Sequence, residues 1–352
     1  MESSHAVLEA IAAAPGDGVL AIIISVEGSA YQKEGTCMWI GANGETVGLL
    51  SGGCLEEAVA AYARDVLANR QVAAVSFDLR TEDDLSWGQG AGCNGLVHIW
   101  LEPVTSDAKL DWLALKHCLD RGEHVLMVRS IMYPDERPFF QSETGEQFGG
   151  CRRTPHREWR EWLHKTPFYQ GRSGLYEVDG ETFYVQHFWP KPRLVIFGAG
   201  PDAPPLVAAA KAAGFSVTVS DWRPAFCHPS HVSDADEWVV GFLHETVPML
   251  HLNERDFVIV MTHQFERDRE LVSLLADKPL AYLGVLGPRR RTDRLFPSGS
   301  APPFVRSPVG LSMGARSPHE IAISITAELI RGLRRHGAEA APCRPSRAPP
   351  FS

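Results

Sequence analysis

The sequence predicts an α/β protein in which a C-terminal Rossmann-like domain with a parallel sheet follows an N-terminal domain of mixed α/β type. The segment 193–221 has the order strand, glycine turn, helix, strand and acidic residue. Short apolar runs bounded by Gly and Pro alternate with helical patterns after it, as in α/β domains. In the N-terminal half, Asn43-Gly44 lies between two strand-like runs and is a strong hairpin signal.

The length of 352 residues is enough for two domains with their own cores. We predict an N-terminal domain over 1–190 and a Rossmann-like domain over 191–336, joined at the hinge-like Pro190-Lys-Pro192. The tail 337–352 is rich in Ala, Pro and Arg and is expected to be disordered.

Composition excludes several classes of protein. A net charge of −9 argues against nucleic acid or an anionic membrane as the main partner. No apolar run is long enough to span a membrane, and the start Met1-Glu-Ser-Ser-His lacks the basic residues of a signal peptide. The seven cysteines are scattered without paired spacing, which favours a reduced, cytoplasmic location.

Elements of the N-terminal domain follow from apolar runs and turn residues. The run 19–26 is almost wholly apolar and is predicted to be a central strand. Further strands are predicted at 36–40, 45–50, 72–77, 96–101 and 124–130, and helices at 5–14, 55–68 and 107–119. Between 133 and 186 the pattern is weaker, with a helix at 155–164 and a hairpin around Val178-Asp-Gly-Glu181.

Elements of the C-terminal domain alternate regularly. Strands are predicted at 194–197, 215–219, 238–241, 256–261 and 280–284, and helices at 203–213, 244–250, 266–276, 288–295 and 318–335. Gly214 is placed to end the first of these helices, and Ser317 is placed to cap the last.

The glycine turn of the segment 193–221 is the main candidate binding site. Gly198, Gly200 and Ala203 match the three positions of the dinucleotide fingerprint, so the free N–H groups of the following helix can hold a phosphate. Asp221 ends the second strand at the distance expected for a ribose contact. The alternative is a β-α-β unit that packs normally and binds nothing.

Two loops of the N-terminal domain carry a cysteine beside glycines. Gly52-Gly53-Cys54 precedes a predicted helix, whose positive end favours the thiolate form of Cys54. Cys93 lies in Gly92-Cys-Asn-Gly95, where glycines allow a ligand to approach the backbone closely. The alternatives are a small buried helix residue and a tight entry to a strand.

Two further loops follow strands of the C-terminal domain. Thr262-His263 ends one strand, and His263 is a candidate ligand contact or proton carrier, or alternatively a helix cap. Gly287 is followed by Arg289, Arg290 and Arg291, which form either an anion site or a solvated basic face. Cys227-His228-Pro-Ser-His231 has metal-like spacing, but no second Cys/His pair lies nearby to complete a site, so we interpret it as a polar loop.

With these residues in view, the chain resembles the XdhC/CoxI family of xanthine dehydrogenase accessory factors, over most of its length. The resemblance is carried by these segments: Gly28-Ser29, Asn43-Gly44, Ser51-Gly-Gly-Cys54-Leu-Glu56, the Cys93 loop, Gly198-Ala-Gly200, Asp221-Trp-Arg223-Pro, Thr262-His263 with Asp268, Tyr282 to Gly287 before Arg289-Arg290, Pro308 to Gly314, and Pro318 to Glu328.

The chain departs from the family pattern in three loops. After Gly28-Ser29 the family carries a Pro-Arg pair and a later Ala-Arg, where this chain has Tyr31-Gln32 and Thr36-Cys37. The family's Cys-Gly-Gly is Cys93-Asn-Gly here, and its Gly-Ser-Arg-Arg-Lys is Gly287-Pro-Arg-Arg-Arg. The last change keeps the charge and loses a hydroxyl.

The resemblance implies a protein that binds molybdenum cofactor (molybdopterin), assists its sulfuration with a cysteine desulfurase, and delivers it to a xanthine dehydrogenase-type molybdoenzyme. It implies a maturation factor rather than a catalyst, with cofactor contacts at Gly52, Gly53, Cys54, Cys93, Gly198, Gly200, Asp221, Arg223, Thr262, His263, Gly287, Arg289 and Arg290. Cys54 or Cys93 would be the ligand to the cofactor's molybdenum.

Two other functions stay open from the residues. The glycine turn also suits an NAD(P)-dependent oxidoreductase, although no catalytic acid, base and substrate pocket stands out. A ligand-free assembly scaffold for the molybdoenzyme is the third function that fits. The sequence leaves the form of the cofactor, the client enzyme and homodimer formation undecided.

Overall fold

A computed structural model describes residues 2–80, 94–150, 172–178, 180–296, 301–302 and 304–338. The chain divides into two compact units, with the boundary between Pro190 and Lys191. In the described residues, no helix is both long enough and apolar enough to cross a membrane.

The first sheet of unit 1 is antiparallel and five-stranded. Its order is β3 (Thr46–Val47), β2 (Cys37–Gly41), β1 (Gly18–Ser29), β5 (Asn94–Val104) and β4 (Ala73–Asp78). The apolar run predicted as a central strand is β1, and its position in the sheet is confirmed. Alternate residues of β1 enter different cores, with Leu20 and Ile22 on one face and Val19 and Ala21 on the other. Because both faces are covered, nearly every residue of the strand is apolar.

A second antiparallel sheet completes unit 1. Its order is β8 (Gln147–Gly149), β7 (Phe139–Ser142), β6 (Val125–Ser130), β10 (Glu181–Phe188) and β9 (Gly174–Val178). Helices α1 (Glu2–Ala13) and α3 (Ser106–Asp120) share one core with residues of both sheets, and α2 (Glu56–Asn69) packs on the opposite face of the first sheet.

Unit 2 contains a six-stranded parallel sheet. The order is β13 (Glu237–Val240), β12 (Ser216–Asp221), β11 (Arg193–Phe197), β14 (Phe257–Val260), β15 (Tyr282–Val285) and β16 (Val305–Arg306). Helices α4 (Ala203–Ala212) and α8 (Pro318–Ala338) cover one face, and α5 (Leu243–Met249) and α6 (Phe265–Leu275) cover the other. A short helix, α7 (Arg289–Asp293), follows β15. The predicted Rossmann-like fold is therefore confirmed, with its order reversal between β11 and β14.

Several details differ from the sequence predictions. The hairpin β7–β8 was not predicted, because its strands are short and bounded by charged and polar residues. Asn94 and Gly95 begin β5 instead of closing a loop, since they pair with Ser29 and Gly28. The sheets of unit 1 are antiparallel, so the rule that ligands bind at the carboxyl edge of parallel strands applies only to unit 2. The helix predicted at 155–164 and the tail beyond 338 lie outside the described residues.

Candidate functional site

The turn between β11 and α4 depends on its first glycine. Gly198 has a φ of +112°, and a Cβ added to it would lie 2.4 Å from the carbonyl oxygen of Met261, just after β14. Both the backbone conformation and the packing therefore exclude a side chain here. Ala203, the third fingerprint position, is fully buried in the core beneath α4. The turn has the close-packed form typical of the dinucleotide fingerprint.

Groups of the protein occupy the hydrogen-bond acceptor positions of the Asp221 carboxylate. Its Oδ2 accepts hydrogen bonds from the Ala199 N–H (2.8 Å) and Arg223 Nη2 (2.7 Å), and its Oδ1 accepts from the N–H and Nε of Arg223 (both 2.9 Å). Burial raises the pKa of Asp221, but these hydrogen bonds outweigh it and hold the pKa below its usual range. A carboxylate offers about four acceptor positions. The ribose contact predicted for Asp221 would therefore require Arg223 to release it first.

Arg223 is itself held in place by aromatic rings. Its guanidinium carbon lies 4.4 Å from the ring centroid of Trp222 and 4.2 Å from that of Phe226. Arg267, at the start of α6, lies 3.8 Å from the centroid of Trp222. These stacked contacts favour the observed Asp221–Arg223 pair over an exchange of partners.

A side-chain contact that the sequence patterns did not indicate joins the turn before α4 to the loop after β14, at the order reversal of the sheet. Asp202, just before α4, and His263, just after β14, are joined by a 2.7 Å contact between Oδ2 and Nε2. His263 is 57% exposed and has a φ of +60°, which is unusual for a residue other than Gly. An Asp before a helix suggests an N-cap. Here Asp202 makes no side-chain cap bond, and its carboxylate turns to His263 instead.

Thr262 and Asp268 form a buried hydrogen-bonded network beside His263. The Thr262 hydroxyl donates to Asp268 Oδ1 (2.6 Å), and Arg291 Nη2 donates to Asp268 Oδ2 (2.6 Å). The Asp268 side chain is 1% exposed. Thr262, in the loop after β14, and Arg291, in α7, are therefore both bonded to Asp268 of α6.

The basic loop after β15 is more open. Arg289 is exposed and lies 3.5 Å from Asp293, and Arg290 is exposed as well. Gly287 has a φ of +118°, so the turn into α7 favours glycine. The exposed side chains of Arg289 and Arg290 can reach an anion, whereas Arg291 is already paired with Asp268.

In unit 1, the loop before α2 is held by Glu56. Its carboxylate accepts hydrogen bonds from the Leu50, Ser51 and Leu55 N–H groups and from the Ser51 hydroxyl. Gly52 and Gly53 border open space, since a Cβ added to either would meet no atom within 4 Å. Cys54 is half-buried and packs at the edge of the core beneath α2. The loop therefore exposes the backbone of Gly52 and Gly53 beside a thiol.

Cys93 lies outside the described residues, but the residues after it are placed. Asn94 pairs with Ser29, and Gly95 pairs with Gly28. A Cβ on Gly95 would lie 2.6 Å from the carbonyl oxygen of Glu27, so the glycine is required by the close approach of β1 and β5. Gly28 and Gly95 therefore have a packing role at this point of the sheet.

The metal-like spacing at 227–231 does not form a site. Cys227 Sγ donates to the Val219 carbonyl (3.3 Å), the His231 ring bonds the Ala199 carbonyl (3.1 Å), and His228 bonds Ser230 (2.9 Å). Among the described residues, the group with metal-like geometry is instead Cys118, Glu123 and Glu146. Arg121 donates hydrogen bonds to the carboxylates of Glu123 and Glu146, so its guanidinium already supplies the positive charge in this cluster.

Comparisons with known proteins cover nearly the whole chain. The models of three families match: the XdhC and CoxI family over residues 11–78, the BH1974-like central domain over 106–189, and the XdhC Rossmann domain over 194–329. A crystal structure described as a xanthine dehydrogenase (BH1974) from Bacillus halodurans is 39% identical, with a TM-score of 0.84 over 95% of this chain and 96% of that one.

Two relatives align from end to end. A probable xanthine dehydrogenase subunit of Bacillus subtilis (strain 168) is 37% identical over 340 residues, which are 95% of this chain and 99% of the relative. The "Molybdenum cofactor insertion chaperone PaoD" of Escherichia coli (strain K12) is 23% identical over 346 residues, covering 94% of this chain and 88% of the relative.

Proposed function

This chain belongs to the XdhC and CoxI family, and from that premise we propose that it binds molybdenum cofactor and delivers it to a xanthine dehydrogenase-type molybdoenzyme. The observation that carries the proposal is the end-to-end likeness, at 37% identity, to the Bacillus subtilis protein. The weaker full-length likeness to a cofactor insertion chaperone supports the same role. We further propose that the cofactor is sulfurated while bound, with a cysteine desulfurase as the sulfur donor.

The residues of unit 1 suit the metal end of this cofactor. Thiolates are good ligands for soft metal–sulfur centres, and Cys54 offers a half-buried thiol beside Gly52 and Gly53, which leave open space. Cys37 and Cys118 are less suited, because burial raises the pKa of each thiol to about 11. We therefore propose Cys54 as a ligand to the cofactor's molybdenum, and Cys93 as the second candidate from the family pattern.

The residues of unit 2 suit the phosphate end. The turn Gly198-Ala-Gly200 leads into the N-terminus of α4, where the positive end of the helix dipole favours a phosphate. The attraction comes from the dipole, because Pro204 and Pro205 have no N–H and the Ala203 N–H donates to the Gly200 carbonyl. Exposed Arg289 and Arg290 add positive charge at the same edge of the parallel sheet. His263 and Arg223 are proposed contacts that must first leave their carboxylate partners, Asp202 and Asp221.

An oxidoreductase is the weaker alternative. Use of NAD(P) by the same turn would rely on Asp221 for the ribose, and that carboxylate is saturated by Ala199 and Arg223. Steady turnover of NAD(P)H with a small carbonyl or purine substrate, at roughly one per second or more, would favour the enzyme instead.

The proposal is tested on protein purified from cells that make molybdenum cofactor. The protein should contain detectable molybdenum, at less than one atom per chain, and should show pterin fluorescence. It should also activate a cofactor-free molybdoenzyme. Cys54→Ser and Cys93→Ser should each lower bound molybdenum and activation several-fold, while the matched control Cys37→Ser should not. Absence of pterin in a protein that still binds the client would support the scaffold function, and full activity of both cysteine variants would reduce these residues to packing roles.

A further inference from the structure

The space beside the second glycine of the turn is filled by a carboxylate. A Cβ added to Gly200 would lie 2.9 Å from Asp202 Oδ1. In fingerprint turns, the second glycine lacks a side chain so that a pyrophosphate can approach the backbone there. In this chain an oxygen of Asp202 already lies in that space. A carboxylate oxygen thus lies beside Gly200, where the fingerprint leaves room for a phosphate.

The carboxylate is only partly satisfied where it lies. Its Oδ2 is bonded to His263 Nε2 at 2.7 Å. Its Oδ1 is buried and has no hydrogen-bond partner in the part of the chain that the structure describes. Burial of an unpaired polar atom is unfavourable, so a displacement of Asp202 from the turn gives up one hydrogen bond to His263 and relieves one unpaired oxygen. This arrangement lowers the free-energy cost of moving the Asp202 side chain out of the turn.

We propose that Asp202 is an internal competitor for the phosphate position of the turn. The inference rests on the proposed function, in which the turn holds the phosphate of a cofactor that must later be released. The incoming phosphate displaces the Asp202 carboxylate, and the return of the carboxylate promotes release. Asp202 therefore limits the affinity of unit 2 for phosphates and sets the balance between holding the cofactor and passing it on.

The test measures binding of inorganic pyrophosphate by calorimetry, which needs no cofactor and no ribose contact. Asp202→Asn removes the charge at nearly constant size, and Asp202→Gly removes charge and bulk. Each should bind pyrophosphate about tenfold or more tightly than the wild type, the effect expected on removing a like charge at ~4 Å from a partly buried site. His263→Ala removes the same hydrogen bond but keeps the Asp202 charge, and should give a smaller gain than either Asp202 variant.

Each other outcome overturns the inference. Wild-type binding as tight as that of the Asp202 variants would mean that the carboxylate does not compete. The lack of a gain in variants whose circular dichroism and melting confirm folding would mean the same. An equal gain in His263→Ala would assign the effect to the contact with His263 instead of the charge of Asp202. Pterin content measured in parallel separates this from the proposed function: with no pterin in any variant, the cofactor role fails while the pyrophosphate comparison still decides the role of Asp202.

Discussion

Ser51 and Glu56 are joined by both the backbone and the side chain of the serine. The Ser51 N–H donates to Glu56 Oε1 at 2.8 Å, and the Ser51 hydroxyl donates to Glu56 Oε2 at 2.5 Å. The same hydroxyl accepts from the N–H groups of Gly53 and Leu55 at 3.1 Å. The Ser-Gly-Gly-Cys-Leu-Glu motif is therefore a closed hydrogen-bonded unit in which serine and glutamate fix the backbone that carries Cys54.

We predict that Glu56→Ala lowers the free energy of unfolding by about 1–3 kcal/mol, because several loop N–H groups lose their acceptor. Thermal or urea unfolding at neutral pH measures the change. Glu57→Gln is the matched control, since Glu57 lies in the same first turn of α2 but is exposed. A loss in the control as large as in Glu56→Ala would attribute the effect to the helix dipole instead of the loop.

The same contact predicts a pH dependence. Burial raises the pKa of Glu56, but the hydrogen bonds from Ser51 and its neighbours outweigh it, so the pKa lies below its ordinary value of 4.5. A carboxyl group whose pKa is lowered in the folded state stabilises the protein at pH values above its ordinary pKa. This contribution is lost as the pH falls through the lowered pKa. The stability gap between wild type and Glu56→Gln should therefore narrow below pH 4.5. A gap that stays constant with pH would contradict this.

Elements with a strong local signal were predictable from the sequence. The order β11, turn, α4, β12 follows from the glycines, the alanine-rich run and Asp221, and it is confirmed with small shifts of the ends. In the second sheet of unit 1 the predicted hairpin of β9 and β10 is confirmed. The pairing of β6 with β10 was not predictable, because the paired residues are separated by more than fifty residues of the chain. Sequence patterns report local periodicity, and they carry little information about such distant pairing.

The hydrogen-bond partners of individual side chains were also not predictable from the sequence. Asp221 was predicted to be available to a ribose, and the structure gives its four acceptor positions to Ala199 and Arg223. Asp202 was not identified, although its place before a helix was visible in the sequence. In both cases the decisive fact is which donor lies opposite the carboxylate, and that depends on tertiary packing.

The two glycines of the turn should respond differently to substitution. Gly198→Ala should destabilise unit 2 by about 2 kcal/mol or more, because the Cβ would lie 2.4 Å from a backbone oxygen at a φ of +112°. Gly200→Val should leave the protein folded, since its nearest obstacle is the carboxylate oxygen of Asp202, which can move. Its branched side chain should nevertheless abolish binding of a phosphate-bearing ligand.

Melting temperature and pyrophosphate binding separate the two effects. Unchanged affinity in folded Gly200→Val would mean that the turn is not a phosphate site. A melting temperature of Gly198→Ala equal to the wild type would contradict the close contact with Met261.

Glu328 should be essential for the stability of unit 2, although its place in the longest segment of the family pattern would suggest a binding role. Its Oε2 accepts from the Tyr282 hydroxyl and the Gly310 N–H, both at 2.7 Å, so it joins α8 to β15 and to the loop after β16. The side chain is 8% exposed. We predict that Glu328→Ala lowers the free energy of unfolding by about 2–3 kcal/mol, because a buried hydroxyl and a buried N–H lose their acceptor.

Arg331→Ala is the control for this prediction. Arg331 donates to Glu328 Oε1 at 2.8 Å, but its side chain is 47% exposed. Exposed ion pairs contribute about 0–1 kcal/mol, so its removal should change little. Urea unfolding of both variants measures the difference. Glu328 would act on the ligand if Glu328→Ala were no less stable than Arg331→Ala but lost bound molybdenum. If Glu328→Ala is less stable and still binds pyrophosphate when folded, Glu328 maintains the fold that positions the turn.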